Sequence, residues 1–467
     1  MKNFFLTGLI FLFLIETPRA EILSSSMNNN EKSDAAGNGQ SIQSIKEERM
    51  DIIRYGTETE IAALIRTLKE EKTYYLNEEL VRLSDTTKNP AIITGIFSFL
   101  GEQEKGDVEK RALRILEERD EEANETVLAA INYLGIIKNE DAMEYLQDIL
   151  GAGEQRFTTA ALRTMGRLAS GNKDRADEAA EFLIDYYNNN NPGNEDQREI
   201  IVSIGESGSV AGISFLSDII ENNDERAVIR IAAVEALSKI GDPEGLPAII
   251  YAVSSNDPNI RSTAVASLGP FNGDMVDKAI LDGFRDSYYR TRIAAAKAAK
   301  ERKLDAAVPY LRFRAEKDDV PTVKEDAIRA LGAIFSDAAR DTLNRLFLER
   351  KNSDTVRILA AEMLIENDAG GYTEALITEL DEAKKRRYNN LYNGFLKVLS
   401  KAKTGKLEDT VRRFLSSGDV TEKFYALDII VNNNFRIFIP DIQELTNEKN
   451  GNLSRRAKVM LEKLENK

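Results

Sequence analysis

The sequence contains no cysteine, no histidine and no tryptophan among its 467 residues. Without cysteine the chain forms no disulfide and offers no thiolate nucleophile, and without histidine it has no Ser-His-Asp triad. The usual nitrogen and sulphur ligands of zinc and haem are absent as well. Chemistry would therefore rest on carboxylate, lysine, tyrosine or serine groups, or on oxygen ligands, and we expect no cofactor, no metal and no enzyme activity.

Basic residues are in the minority, with 63 Lys and Arg against 78 Asp and Glu, which gives a net charge of −15. Proteins that bind nucleic acid need a basic face, because the phosphate backbone repels an acidic one. We therefore expect no nucleic-acid partner. A chain of this length also exceeds one ordinary hydrophobic core, so it contains either several domains or one extended repeat array.

The N-terminal residues 1–20 have the pattern of a signal peptide. Lys2 supplies a positive charge, residues 4–15 form an apolar stretch, and Ala20 is a small residue at the expected cleavage site. The apolar stretch is shorter than the ~20 residues that a membrane-spanning helix needs. Because Pro18 stands where a small residue is preferred, an uncleaved anchor remains an alternative. The protein is thus predicted to be exported, either periplasmic or secreted, with membrane contact only if residues 1–20 stay attached.

Residues 21–44 are predicted to be a disordered linker. The segment is rich in Ser, Asn and Gly and has very little apolar content. Such a composition cannot offset the entropy that is lost on folding.

The rest of the chain, residues 45–467, contains a sequence repeat. Five segments that begin near residues 229, 260, 291, 323 and 356 can be placed in register on a basic anchor residue. The anchors are Arg230, Arg261, Arg292, Lys324 and Arg357. Each anchor is followed by alanine three positions later, and by leucine or alanine seven positions later. Weaker copies on both sides extend the series to about twelve.

Positions three and seven after an anchor lie on one stripe of an α-helix. Alanine at the first position lets a neighbouring helix approach to ~8–10 Å, and the larger residue at the second fills the remaining space. Glycine directly follows the second position in several copies and is predicted to end the helix. A second amphipathic helix follows, so each repeat is a pair of short antiparallel helices that bury their apolar faces against the next pair.

This pattern resembles the HEAT-repeat family, in its short PBS-lyase-like bacterial form with the consensus VRxxAAxALGxIGDPxALPxL. Residues 229–249 match the consensus best. The resemblance implies an all-α fold, namely a HEAT- or armadillo-like α-solenoid of about twelve two-helix repeats with a capping helix at each end. For the N-terminal cap, we expect Gly56 to end a helix and Thr57 with Glu60 to form a capping box.

The resemblance also implies a structural ladder, in which an aspartate bonds the anchor six residues later. The pairs with this spacing are Asp224 with Arg230, Asp286 with Arg292, and Asp318 with Lys324. Ser255 and Lys351 occupy the corresponding positions before Arg261 and Arg357, so we expect the ladder to be broken there.

Residues 286–314 concentrate tyrosine and arginine, which are enriched at binding hot spots. The candidate binding surface comprises Tyr288, Tyr289, Arg290, Lys297, Arg312, Arg314 and Arg329. In an acidic protein, such a basic and aromatic cluster would suit an acidic or carboxylate-bearing partner. The alternative is that Tyr288 and Tyr310 pack in the core and that the arginines pair with neighbouring acids.

Together these features predict a non-catalytic, exported protein-binding scaffold that binds a protein or peptide on the concave surface of the solenoid. Residues one and five positions after the anchors would form that surface. They include Ser262, Ala266, Ile293, Lys297, Glu325, Arg329, Ile358 and Glu362. The alternative is a membrane-tethered structural or assembly factor of the bacterial envelope.

A HEAT-like enzyme of the lyase type is a further alternative, although no motif supports it. Among other HEAT-like enzymes, the deoxyhypusine hydroxylase branch binds iron through His-Glu motifs, which a chain without histidine cannot supply.

Overall fold

The computed structural model describes residues 35–466, and the side chains from residue 43 onward. Within this range the regular structure is helical, with 26 α-helices and five short 3₁₀ turns. The N-terminal helices are α1 (Ala35–Tyr55), α2 (Glu58–Glu70), α3 (Asn77–Thr86), α4 (Pro90–Gly101), α5 (Glu109–Glu117), α6 (Asn124–Ile136), α7 (Ala142–Gly151), α8 (Gln155–Ala169) and α9 (Lys173–Asn190). The central helices are α10 (Asn194–Ser207), α11 (Ile213–Glu221), α12 (Ala227–Ile240), α13 (Leu246–Val253), α14 (Pro258–Ala266), α15 (Asp274–Gly283), α16 (Tyr289–Glu301), α17 (Val308–Lys317) and α18 (Pro321–Ile334). The C-terminal helices are α19 (Asp337–Leu348), α20 (Asp354–Asn367), α21 (Ala369–Arg386), α22 (Asn389–Lys401), α23 (Glu408–Leu415), α24 (Val420–Asn433), α25 (Ile439–Leu445) and α26 (Gly451–Glu465).

The described residues divide into two compact units, one that ends at Arg111 and one that begins at Ala112. In the first unit, α2 packs on α4, and α1 and α3 pack beside them. In the second unit, the even-numbered helices from α6 to α26 each contact the next even-numbered helix, so they form a continuous layer. We call it the motif layer, because its helices carry the sequence repeat. The odd-numbered helices pack against it and form a second, outer layer.

The repeat stripe predicted from the sequence is confirmed by the burial of its residues. The third position after the anchor is buried in all twelve copies, on α4 and on each motif-layer helix. The seventh position is buried in every copy except the last, where Leu461 is half-exposed. The stripe is therefore the core of the array, and the last helix leaves part of it uncovered at the C-terminal end.

Four of the six glycines that directly follow the stripe do not end their helices, contrary to the expectation from sequence; the exceptions are Gly101, the last residue of α4, and Gly269, which lies beyond the end of α14. Gly135, Gly166, Gly205 and Gly332 lie inside α6, α8, α10 and α18. Instead, they permit close packing: a Cβ atom on Gly166 would lie 2.5 Å from the Ser203 carbonyl oxygen of the next motif helix. Glycine is used here because a larger residue would push the two helices apart.

The predicted N-terminal cap is present. Gly56 follows α1, and the Thr57 side chain accepts a hydrogen bond from the Glu60 backbone while the Glu60 side chain accepts one from the Thr57 backbone. However, α1 begins at Ala35, so residues 35–44 of the predicted linker are helical. No proline interrupts this stretch, and extending an existing helix costs much less than starting one. The rest of the linker and the predicted signal peptide lie outside the described residues.

No helix between Ala35 and Glu465 combines the length and the apolar character that crossing a membrane requires.

Candidate functional site

The anchor arginines form a ladder, but its bonds run between repeats rather than within them. Arg261 on α14 donates two hydrogen bonds to the Asp286 carboxylate, at 2.7 and 3.0 Å. Arg292 on α16 does the same with Asp318, at 2.8 Å for both bonds. Each carboxylate therefore bonds the anchor of the preceding repeat, 25 or 26 residues earlier.

The six-residue pairing predicted from the sequence is therefore wrong. Six residues before the anchor, it is the main-chain carbonyl that accepts: Arg261 donates to the Ser255 carbonyl, and Arg292 to the Asp286 carbonyl. A side chain of any type can occupy that position, so Ser255 does not break the ladder at Arg261. Lys324, which was expected to bond Asp318, instead donates to the Glu316 carbonyl at 3.4 Å.

Two further anchors depart from the prediction. Arg357 donates a hydrogen bond to the Glu379 carboxylate at 2.6 Å and another to the Phe347 carbonyl. Lys351 therefore does not break the ladder. Arg230 donates to the Ile220 carbonyl, and within the described residues no bond joins it to Asp224. The Nη2 atom of Arg230 is buried and makes no hydrogen bond. The ladder is therefore incomplete at Arg230.

The ladder carboxylates are electrostatically well compensated. Burial alone would raise the pKa of Asp286, but hydrogen bonds from Arg261 and from the Tyr288 backbone hold it below its ordinary value of 3.8. The same balance of burial against bonds from Arg292 and the Val320 backbone lowers the pKa of Asp318. These groups are ionised and paired at neutral pH, which makes them structural members of the fold.

The seven predicted surface residues lie in three places. Lys297 and Arg329 are exposed on α16 and α18 of the motif layer. Tyr288, Tyr289 and Arg290 lie at the start of α16, at the turn between the two layers. Arg312 and Arg314 belong to α17 of the outer layer.

The motif-layer face is formed as the repeat predicts. All eight residues assigned to it, from Ser262 to Glu362, are half-exposed or exposed. At the fifth position after the anchor, the charged residues of several helices bond the adjacent motif helix. Arg163 bonds Glu199 at 2.8 and 3.1 Å, and Glu362 accepts from Lys401 at 2.5 Å.

Three basic residues at that fifth position differ, namely Lys297, Arg329 and Lys397. Within the described range none of them has an acidic group within 4 Å. Lys297 and Arg329 lie on adjacent helices, α16 and α18, which pack against each other. The neighbouring Ser262 and Ala266 on α14 are small, and Glu325 is the one acid among the assigned face residues of α14, α16 and α18, so this stretch has a net positive charge.

At the turn between the layers, Tyr288 and Tyr289 make cation–π contacts with Arg290. The Arg290 guanidinium lies 5.9 Å from the Tyr289 ring centroid and 6.0 Å from that of Tyr288. Tyr288 is half-buried, and its hydroxyl donates to Asn259 at 3.0 Å. The expected alternative thus describes part of the cluster: Tyr288 is partly packed, and Arg314 bonds the buried Asp318 at 3.2 Å.

The outer layer contains a groove that the sequence analysis did not identify. It has a volume of about 290 Å³ and is lined by Phe284, Arg285, Pro309, Tyr310, Phe313 and Arg314. Phe313 is 55% exposed, which is unusual for a phenylalanine on a packed helix. Helical periodicity could have identified it, because the buried stripe of α17 is Val308, Leu311 and Ala315, and Phe313 lies off that stripe.

No cluster of three or more acidic residues in the part of the chain that the structure describes could hold a metal ion.

A family model described as a spirochaete HEAT repeat protein matches residues 53–460. The chain belongs to this HEAT-repeat family. The match covers the stripe residues of all twelve copies except Leu461, the last one. The family assignment therefore rests on the same residues as the repeat.

Curated relatives of this HEAT-repeat protein include two named deoxyhypusine hydroxylase. The protein from Candida albicans is 24% identical over 217 residues, which cover 42% of this chain and 67% of that protein. The protein from Debaryomyces hansenii is 23% identical over 122 residues, covering 26% of this chain and 38% of that protein. The His-Glu motifs expected of that enzyme branch have no counterpart here, because the sequence lacks histidine.

Among solved structures, the karyopherin Kap121p is 12% identical, with a TM-score of 0.46, over 95% of this chain and 56% of that protein. Importin beta is 13% identical, with a TM-score of 0.40, over 97% of this chain and 73% of that protein. The chain thus spans about half the length of Kap121p. These likenesses concern the helical-repeat fold alone.

Proposed function

We propose that this HEAT-repeat protein is a non-catalytic, exported scaffold that binds an acidic protein segment across the motif-layer face of α14, α16 and α18. The observation that carries the proposal is the pair of exposed basic residues Lys297 and Arg329, which lack the acidic neighbours that Arg163 has in the same row. A partner that supplies carboxylates would provide the missing charge, and complementary charge favours specific association.

The packing of the layers supports the choice of this face. Neighbouring motif helices contact each other more extensively than neighbouring outer helices do. Since closer spacing in one layer bends a stack toward that layer, the exposed motif-layer face is expected to be concave. An extended surface of this kind is what repeat proteins use to bind partners. Its mixture of small, charged and aliphatic groups suits a peptide better than a small molecule.

The binding test compares two double variants with the same change in charge. Lys297→Glu with Arg329→Glu reverses the proposed surface, whereas Arg455→Glu with Lys458→Glu reverses two exposed residues on α26. After crosslinking in the native cells, we expect the partners of the wild-type protein to be lost from the first variant and retained by the second. Equal retention by both variants, or no specific partner at all, would contradict the proposal.

The absence of catalysis and the export are tested separately. Measurable turnover that a single conservative Asp, Glu or Lys substitution abolishes would refute the non-catalytic assignment. The mass of the N-terminal peptide tests the export: a chain that begins near Glu21 supports a released scaffold. An intact Met1 would favour the alternative, a membrane-tethered assembly factor of the envelope.

A further inference from the structure

The outer-layer groove between α15 and α17 has rigid aromatic walls. The Tyr310 ring stacks on the buried Phe284 ring, with centroids 5.8 Å apart and planes 27° apart. The Tyr310 hydroxyl accepts a hydrogen bond from Arg285 at 3.1 Å, and the same guanidinium lies 5.1 Å from the Tyr310 ring centroid. The Tyr310 side chain is therefore held on its ring face and at its hydroxyl.

Phe313 forms the open side of the groove. Its ring lies 5.2 Å from the guanidinium of Arg314, which in turn donates to the Phe284 carbonyl at 2.7 Å. Arg314 also bonds the buried Asp318 carboxylate, so its own position is fixed. Because these contacts hold Tyr310 and Arg314, a ligand would lose less affinity to the ordering of those two side chains.

The α17 side of the groove is positively charged although the whole chain is acidic, whereas Arg285 on the other side is paired with Asp282 at 3.3 Å. Helix α17 carries Arg312, Arg314 and Lys317 against the single acid Glu316, which bonds Arg345 at 2.6 Å. Arg312 is exposed and, among the described residues, has no acidic group within 4 Å. The acid next to Arg314, Asp318, is buried and already shared between Arg292 and Arg314.

From this geometry we propose that the groove binds an acidic peptide segment through one aromatic side chain. The aromatic anchor of the partner would insert between Phe313 and the Tyr310–Phe284 stack, and carboxylates beside it would face Arg285 and Arg312. Aromatic pairs and guanidinium–carboxylate bonds each add to affinity beyond simple burial. The inference rests on the proposed binding function, but it places a second contact on the layer opposite Lys297 and Arg329.

The probe is a short synthetic peptide with one tryptophan between two pairs of glutamates, titrated against the full chain by fluorescence anisotropy. We expect Phe313→Ala to weaken binding about tenfold, as the loss of one hot-spot anchor does. Tyr251→Ala removes another exposed aromatic residue from an outer helix and should leave the affinity unchanged. Since Phe313 is mostly exposed, circular dichroism should show the same helix content in both variants.

Further variants and altered peptides distinguish binding in this groove from binding on the motif-layer face. Arg285→Glu should also weaken binding, whereas Lys297→Glu with Arg329→Glu should not. Peptides with alanine for tryptophan, or with lysine for glutamate, should bind weakly. The proposal is overturned if the wild-type protein shows no binding at about 1 mM peptide, if Phe313→Ala binds like the wild type, if either altered peptide binds equally well, or if only the motif-layer variant loses binding.

Discussion

Two stretches of the motif layer with the same sequence repeat are held together in different ways. Between α8 and α12 the helices approach closely at glycines, since a Cβ atom on Gly205 would lie 2.7 Å from the Ala236 Cα atom. Between α14 and α18 the motif helices make no such close contact at a glycine. A Cβ atom on Gly269 would lie 3.7 Å from the flexible carboxylate of Glu301 and near no other atom. There the buried bonds of Arg261 with Asp286 and Arg292 with Asp318 connect successive repeats.

The boundary between the two stretches is at Arg230. Its helix α12 is the last motif helix before α20 to receive a close glycine contact from the preceding motif helix, and its guanidinium lacks the carboxylate that the next two anchors have. Ser255 occupies the position that corresponds to Asp286, 25 residues after the anchor. The comparison indicates that close backbone packing and a buried charge ladder are interchangeable solutions to one problem, namely fixing the register between neighbouring helices.

The largest effect is expected from Asp318→Asn, which removes a ladder charge from the second stretch. Arg292 and Arg314 would then be left partly buried without their carboxylate, at a cost of about 3–5 kcal/mol in the free energy of unfolding. Urea unfolding followed by circular dichroism measures the change. The neighbouring Asp319→Asn is the control, because that side chain is 90% exposed whereas the Asp318 side chain is fully buried. Equal effects of the two substitutions would show that the ladder contributes little.

In the first stretch the corresponding change is Gly205→Ala. The added methyl group would collide with the Ala236 backbone and separate α10 from α12, which should cost about 1–3 kcal/mol. Gly151→Ala introduces the same methyl group at the end of α7, where nothing lies within 4 Å. Alanine is the better helix former, so the control variant should be as stable as the wild type or slightly more stable. A stable Gly205→Ala variant would contradict the close-packing role.

A smaller, stabilising effect is expected from Ser255→Asp. Ser255 already accepts a hydrogen bond from the Asp257 backbone, as Asp286 does from Tyr288, so aspartate should fit the same turn. Its second oxygen would reach the unpaired Nη2 atom of Arg230 and add about 1 kcal/mol to the free energy of unfolding, typical of one intramolecular hydrogen bond. The substitution Ser254→Asp, one residue away and exposed, is the control for added charge. A destabilised Ser255→Asp variant would show that the ladder cannot be extended to Arg230.

The smallest expected effect is a difference between the stretches in acid. The folded-state pKa values of Asp286 and Asp318 lie below the ordinary value of 3.8, so their contribution is fully present above that pH and is lost as pH falls through the lowered values. Hydrogen exchange should therefore show α14 to α18 losing protection below pH 4 more than α8 to α12. In the Asp286→Asn variant, the extra loss of protection in acid should be smaller. If the pH dependence of protection is unchanged, the pairing of Arg261 with Asp286 does not stabilise this stretch.

The sequence was sufficient to predict the repeat because burial depends on local periodicity. Alanine at the third position and a larger residue at the seventh define a buried stripe without knowledge of any distant contact, as Ala233 and Leu237 illustrate. The capping box at Thr57 and Glu60 was predictable for the same reason, since both partners lie within one helical turn.

Contacts between repeats were not predictable from spacing alone. Asp286 lies six residues before Arg292 and 25 after Arg261, and only the packing of the helices decides that it bonds Arg261. Likewise, a glycine in the sequence can either end a helix or let a neighbouring helix pack closely. Only its neighbours in the folded structure show which of the two roles it has. The groove around Phe313 was missed because its walls come from two repeats, although the exposed position of Phe313 on α17 is visible in the periodicity.

The most direct test of a binding role for the motif layer is site-specific photo-crosslinking in the native cells. A photoreactive amino acid is placed at Ala266, in the basic stretch beside Lys297, and in a second strain at Asp185, an exposed residue of the outer helix α9. The account predicts a discrete crosslinked partner from Ala266 that is absent from the Asp185 strain and disappears when Lys297 and Arg329 are changed to glutamate. No adduct at Ala266, or the same adducts at both positions, would contradict it.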